Sequence, residues 1–177
     1  MSGAIFDDLA DWIQNHNRIQ FAPLSNGGWE RWAQIDFSIY LNSIGTTTIT
    51  EDPCFAGSNQ IDDMTVIQQG NDEPGAVMEL KVLNSSDTIA SYKAKLVTDA
   101  TKLQQQLKPA RAGFTKCSYG LASYTMLLPQ LQAAFPGQNI NANNYVGFLA
   151  QMIPSHQVVS ETSANGSAFA VSFLRVP

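Results

Sequence analysis

The stretch Gln60-Ile61-Asp62-Asp63-Met64-Thr65-Val66-Ile67-Gln68-Gln69-Gly70, followed after Asn71-Asp72-Glu73-Pro74-Gly75 by Ala76-Val77-Met78-Glu79-Leu80-Lys81-Val82-Leu83, decides how this chain is read. Side chains alternate across a strand with period two, so Val77, Glu79 and Lys81 share one face while Met78, Leu80 and Val82 share the other. A carboxylate and an ammonium group then project side by side from a strand whose opposite face is apolar. The Pro74-Gly75 step is a turn signal, so the two runs are expected to pair across it. Pairing brings an aspartate at the head of the first run to Glu79 and Lys81. Asp62 and Asp63 point to opposite faces; Asp63 is favoured because Met64 and Val66 then anchor the other face, and Asp62 is kept as the alternative ligand.

These residue types together suit a metal-dependent phosphodiesterase. Mg2+ prefers oxygen ligands in octahedral geometry, keeps several waters, and is usually held by one or two carboxylates plus substrate phosphate. The ion polarises the scissile phosphate and lowers the pKa of a bound water. Lys81 would orient or help deprotonate that water, or offset charge on the pentacovalent phosphate.

Asp63, fifteen intervening residues and then Glu79-Leu80-Lys81 resemble the PD-(D/E)xK signature of restriction-endonuclease-like nucleases. One departure is plain: Gln60-Ile61-Asp62-Asp63 lacks the proline that names the motif. The resemblance implies an α/β fold with a mixed central sheet flanked by helices, in the core order helix, three strands, helix, strand (αβββαβ). It also implies Mg2+ or Mn2+ as cofactor, the Leu80 backbone carbonyl as a further ligand, and an acidic residue on the first core helix that completes the site.

The flanking sequence can be placed in that order. Gly27 to Leu41 reads as a largely buried helix, with Asn26 as N-cap and apolar or aromatic residues at Trp29, Trp32, Ala33, Ile35, Phe37, Ile39, Tyr40 and Leu41. Glu30 sits between two tryptophans, where a lone carboxylate is costly to bury without a partner. It is the position that resembles the helix acid of the superfamily; the alternative is an acid that only favours the helix dipole, and Asp36 is its rival. Either Thr46–Thr50 or Cys54–Gly57 supplies the first strand. Thr88 to Lys108 carries apolar residues at Ile89, Tyr92, Leu96, Ala100, Leu103 and Leu107, which predicts an amphipathic helix capped by Ser86 or Asp87 and stopped before Pro109. Phe114 to Tyr124 alternates as the fourth core strand. Beyond it, Met126 to Phe135 and Asn143 to Ile153 read as helices and Ser167 to Val176 as a last strand. A short amphipathic helix carrying Ile5, Leu9, Trp12 and Ile13 precedes all of this.

The chain has 177 residues, enough for one domain spanning 1–177 with a substantial core. It has no apolar run of membrane-spanning length and no secretory leader, so a cytoplasmic location without membrane association is expected; delivery by other machinery is compatible with that. Cys54 and Cys117 read as buried thiols of a reducing compartment. His16 and His156 are expected in loops or at the surface. Neither a phosphate-cradling glycine loop nor a nucleophile elbow is present: Gly27-Gly28 and Gly120-Leu121-Ala122-Ser123 lack the required neighbours.

A formal net charge of -5 argues against a polyanion as partner, but the charge is segregated. Residues 1 to 80 hold twelve acids and two bases, and residues 81 to 116 hold seven bases and two acids. The basic segment begins at Lys81 and offers Lys93, Lys95, Lys102, Lys108, Arg111 and Lys116 as phosphate-backbone contacts. The expectation is a nuclease that uses Asp63, Glu79 and Lys81 with Glu30, acts on DNA in preference to RNA, and takes sequence specificity from loops or an oligomeric partner such as a homodimer. Two alternatives stand beside it. One is a catalytically inactive module of the same fold that binds nucleic acid or protein, its charges forming a structural ion pair. The other is a small-ligand domain with Trp29, Trp32 and Tyr40 lining a pocket.

Overall fold

The computed structural model describes residues 2–16, 19, 29–67 and 75–177. The elements are α1 (Ser2–Asn15), α2 (Trp29–Ser43), β1 (Thr47–Thr50), β2 (Met64–Ile67), β3 (Ala76–Val82), α3 (Ile89–Leu103), β4 (Thr115–Ser123), α4 (Tyr124–Ala134), α5 (Tyr145–Met152), β5 (Gln157–Thr162) and β6 (Ala168–Val176). The strands form one mixed sheet in the order β1-β2-β3-β4-β6-β5. Pairing is antiparallel everywhere except between β3 and β4, which run parallel because α3 carries the chain from one to the start of the next.

The sheet is covered on both faces, as its apolar pattern requires. Met78, Leu80 and Val82 of β3, with Cys117, Tyr119 and Leu121 of β4, pack against Leu9, Trp12 and Ile13 of α1 and Trp29, Ala33, Phe37 and Leu41 of α2. On the opposite face, Tyr92 and Leu96 of α3 join Leu127, Leu131, Tyr145 and Leu149 of α4 and α5. Val77, Leu103, Leu107, Phe55 and Cys54 close the near end of that face. Each fully buried aliphatic side chain stabilises by about 1.5–3 kcal/mol relative to exposure, so these two layers hold the central strands in place.

The α/β architecture with helices on both faces is the class the sequence predicts; several boundaries differ. The first strand is Thr47–Thr50, whereas Cys54–Gly57 contributes only an isolated bridge from Phe55 to Leu107. Helix α3 is capped by Thr88, not Ser86 or Asp87. Its hydroxyl accepts from the Ser91 amide and Ser91 returns the bond, a reciprocal cap that leaves Asp87 free to bind Lys95. It ends at Leu103, ahead of Pro109, because the chain turns there to let Leu107 bridge Phe55. Helix α4 starts directly at the end of β4. Strand β5 was not expected: as the outermost strand it exposes most of its side chains and lacks a strong apolar alternation. The expected N-cap Asn26 and turn residues Asn71–Pro74 lie outside the described residues.

Cys54 and Cys117 are both buried and unbridged. His156 lies in the loop between α5 and β5, as expected, but is buried there and not at the surface. Ser155 meets its Nδ1 at 3.0 Å and burial lowers its pKa. His16 is half-buried and pairs with Asp36 at 2.8 Å. Asp36 also accepts from Trp12 Nε1 at 2.9 Å, which commits it to the α1–α2 contact and away from β3.

Candidate active site at the end of strand β3

Strand β2 pairs with β3 only from Val66↔Ala76 to Met64↔Met78, and β3 continues for four more residues. Beyond that point the Leu80 N–H and C=O face the side that β2 has left. A buried strand end needs partners for both. The Asp63 carboxylate accepts from the Leu80 amide at 2.8 Å, and Gln34 of α2 donates to the Leu80 carbonyl at 3.2 Å. Asp63 is therefore fixed at the point where β2 diverges, with its carboxylate turned along β3.

Lys81 gathers three acids from three elements. Its Nζ lies 3.1 Å from Glu30 Oε1 at the start of α2, 3.6 Å from Asp63 Oδ2 and 3.7 Å from Asp99 Oδ2 on α3. The other Glu30 oxygen accepts from the Val82 amide at 3.4 Å. Burial alone would lower the Lys81 pKa, but Asp63, Asp99 and Glu30 outweigh it and raise it above the ordinary lysine value. Glu79, on the same face of β3, is 1% exposed and its Oε1 makes an ion pair with Lys102 of α3. That atom is buried and has no hydrogen bond of acceptable geometry, so the contact is one of charge. Burial and then the nearby Asp63 push the Glu79 pKa up to about 8. Asp99 rises to about 6, first through burial, against the pull of Lys81.

The predicted residues Glu30, Asp63, Glu79 and Lys81 thus meet at one place. Asp62 does not join them. One of its oxygens accepts from Thr65 Oγ1 at 2.5 Å and the other from the Asp52 amide at 2.9 Å, so both are engaged in local structure. Burial raises its pKa to about 7, and its bonds secure the approach to β2.

Of the six basic residues offered for phosphate contact, Lys102 is drawn into the site. Lys95 pairs with Asp87 at 2.7 Å, and Arg111 with Asp52 at 3.2 Å. Lys93 and Lys108 are exposed and Lys116 is half-buried beside Phe114. Trp29 is core, its indole N–H donating to the Leu83 carbonyl at 3.2 Å. Tyr40 instead borders a shallow cleft with Trp12, Asn15, His16, Asp36 and Ile39. The three aromatics therefore do not line one pocket.

The sequence reading missed the role of Asp99, and the signal was there. The buried face of α3 is Ile89, Tyr92, Leu96, Asp99 and Leu103, a run of three- and four-residue steps in which one member is an acid. A carboxylate in an apolar stripe has to have a charged partner, and Lys81 is it.

The donors gathered here are oxygens, the kind a hard divalent cation takes. Four carboxylates (Glu30, Asp63, Glu79, Asp99) face two ammonium groups (Lys81, Lys102), a formal excess of two negative charges in a half-buried setting. Asp63 and Glu79 supply the one or two carboxylates that Mg2+ usually takes from a protein. The Leu80 carbonyl has one lone pair engaged by Gln34 and one remaining. Among the described residues, no group of three or more His, Cys, Asp or Glu side chains is already arranged to hold a metal ion. No family model matches the chain, and neither a curated protein nor a solved structure matches it.

Proposed function

We propose that the protein is a metal-dependent phosphodiesterase of the PD-(D/E)xK, restriction-endonuclease-like kind, acting on DNA in preference to RNA. The observation that carries this reading is the excess of carboxylate, two buried and two half-buried, around Lys81 and Lys102 at a strand end that β2 has vacated. Two charges of one sign in excess are expensive away from water, and a divalent cation removes that cost. The order α2, β1, β2, β3, α3, β4 supports the reading, because it is the core order that the Asp63…Glu79-Leu80-Lys81 resemblance implies.

Asp63 and Glu79, with the Leu80 carbonyl, would hold Mg2+ or Mn2+, which when bound supplies Lewis-acid activation of the phosphodiester. The remaining roles belong to the chain. Glu30 and Asp99 hold Lys81 protonated, so Lys81 acts as a fixed positive charge toward the transition state and not as a base. Gln34 fixes the Leu80 peptide and so the direction of its carbonyl. Lys93, Lys108 and Lys116 remain for backbone contact, and a homodimer would double that surface.

The test is cleavage of supercoiled plasmid and of single-stranded RNA with Mg2+, Mn2+ or EDTA. Wild type is expected to cut plasmid only with metal, and Lys81→Ala and Glu79→Ala to lose at least about 100-fold, the scale on which a single transition-state contact acts. Cleavage that survives both substitutions excludes this site.

The second reading is an inactive module that binds nucleic acid or protein. It is favoured by one observation: each of the four carboxylates lies within ion-pair distance of a lysine. Nucleic-acid binding without cleavage under any metal would select it.

A further inference from the structure

The two lysines of the cluster are held differently. Lys81 sits among three carboxylates on three elements, at 3.1, 3.6 and 3.7 Å. Lys102, in the last turn of α3, makes one ion pair among the described residues, to Glu79, with Asp62 and Asp99 acting on it from further off, and its ammonium lies 5.8 Å from the centre of the Phe55 ring. Removing Lys81 would uncover three acids at once. Moving Lys102 uncovers one oxygen, Glu79 Oε1, which is buried and has no other partner among the described residues. The Lys102 side chain is 21% exposed, so a change of rotamer can carry the ammonium to water with the stem still packed.

We propose that Lys102 is the built-in competitor of the divalent cation: it occupies Glu79 while the site is empty and is expelled when metal binds. This inference rests on the metal-dependent reading above. It gives the ionised form of a buried glutamate a partner in the absence of metal. It also makes metal affinity a difference between two pairings and not the full strength of either. The two ammonium groups then divide their work: Lys81 stays with the acids throughout, and Lys102 exchanges.

Binding of Mn2+ alone, with no nucleic acid, tests this by titration calorimetry on wild type, Lys102→Met and Lys102→Arg. Lys102→Met keeps the stem and removes the competitor, and is expected to bind Mn2+ at least about tenfold more tightly, which corresponds to about 1.4 kcal/mol. Lys102→Arg keeps the charge and should stay close to wild type. A second measurement needs no variant. Acetic anhydride labelling of the wild-type chain, read by peptide mass spectrometry, should show Lys102 becoming several-fold more reactive on adding Mn2+, with exposed Lys93 unchanged. Equal or weaker Mn2+ binding by Lys102→Met, or Lys102 labelling that ignores bound Mn2+, overturns the competitor role and leaves the metal site standing. Failure of wild type and Lys102→Met alike to bind Mn2+ removes both.

Discussion

At the scale of single residues, Gly120 occupies a position with no room for a side chain. It lies opposite Lys81 in the parallel pairing of β3 and β4. A Cβ there would come within 2.1 Å of the Tyr92 hydroxyl and 2.3 Å of the Ser172 hydroxyl, far inside contact distance. Tyr92 is fully buried on α3, so it cannot swing away into solvent. Gly120→Ala is therefore expected to cost about 1–3 kcal/mol through overpacking. The melting temperature should fall by about 2–4 °C for each of those kcal/mol. Combining it with Tyr92→Phe, which deletes the nearest atom, should recover part of the loss in a thermal melt. A double variant no more stable than Gly120→Ala alone would show that Tyr92 is not the obstacle. The choice between Asp62 and Asp63 is also a residue-scale matter. Alternation fixes that they diverge, but only the hydrogen bonds of Thr65 and Asp52 show which one is spent on structure.

At the scale of elements, the sequence carried most of the order and little of the edges. Strand β3 was legible because its faces differ so sharply, and α3 because Ile89, Tyr92, Leu96 and Leu103 repeat at helical spacing. Strand β5 was not, since an edge strand is built from backbone pairing to β6 and asks little of its side chains. The start of α3 was misplaced because Ser86, Asp87 and Thr88 are all good caps; the Thr88–Ser91 reciprocal bonds decide between them. Thr88→Ala should cost about 1 kcal/mol in urea unfolding, and Thr88→Ser should cost almost nothing. A null effect of Thr88→Ala would mean that packing of Ile89 and Tyr92 alone sets the helix start. Loss of this cap also loosens the element that delivers Asp99 and Lys102.

For the whole molecule, the buried acids set a dependence on pH. Burial holds Glu79 at about 8 and Asp62 at about 7, both above the ordinary carboxylate range. Above about pH 5 the unfolded chain has released both protons, while the folded chain keeps that of Asp62 up to about pH 7 and that of Glu79 up to about pH 8, so folding stability falls as pH rises through this range. His156, whose pKa burial lowers from 6.5, acts in the opposite sense at the acid end of this range, where protonating it in the unfolded chain destabilises the fold. The expected loss is on the order of 1 kcal/mol per pH unit for each group. Mg2+ requires the deprotonated carboxylates, so the stabilisation it gives should grow over the same window. Thermal melts at about pH 6.5 and about pH 8, with and without Mg2+, measure both slopes; a metal-free stability that rises with pH would contradict the placement of these acids. No helix among the described residues is long and apolar enough to cross a membrane.

The parallel pairing of β3 with β4 has a consequence for the growing chain. A ribosome delivers α2, β2 and β3 well before Thr115–Ser123, so β3 emerges with one long edge unpaired and Met78, Leu80 and Val82 only half covered. Residues 1 to 80 carry twelve acids and two bases, and the compensating lysines follow only from position 81 onward. A half-made chain is thus strongly anionic, and its self-repulsion holds open a surface that would otherwise stick to its neighbours. That repulsion is strongest as β3 appears and weakens as the lysines of residues 81 to 116 follow, most of them ahead of β4.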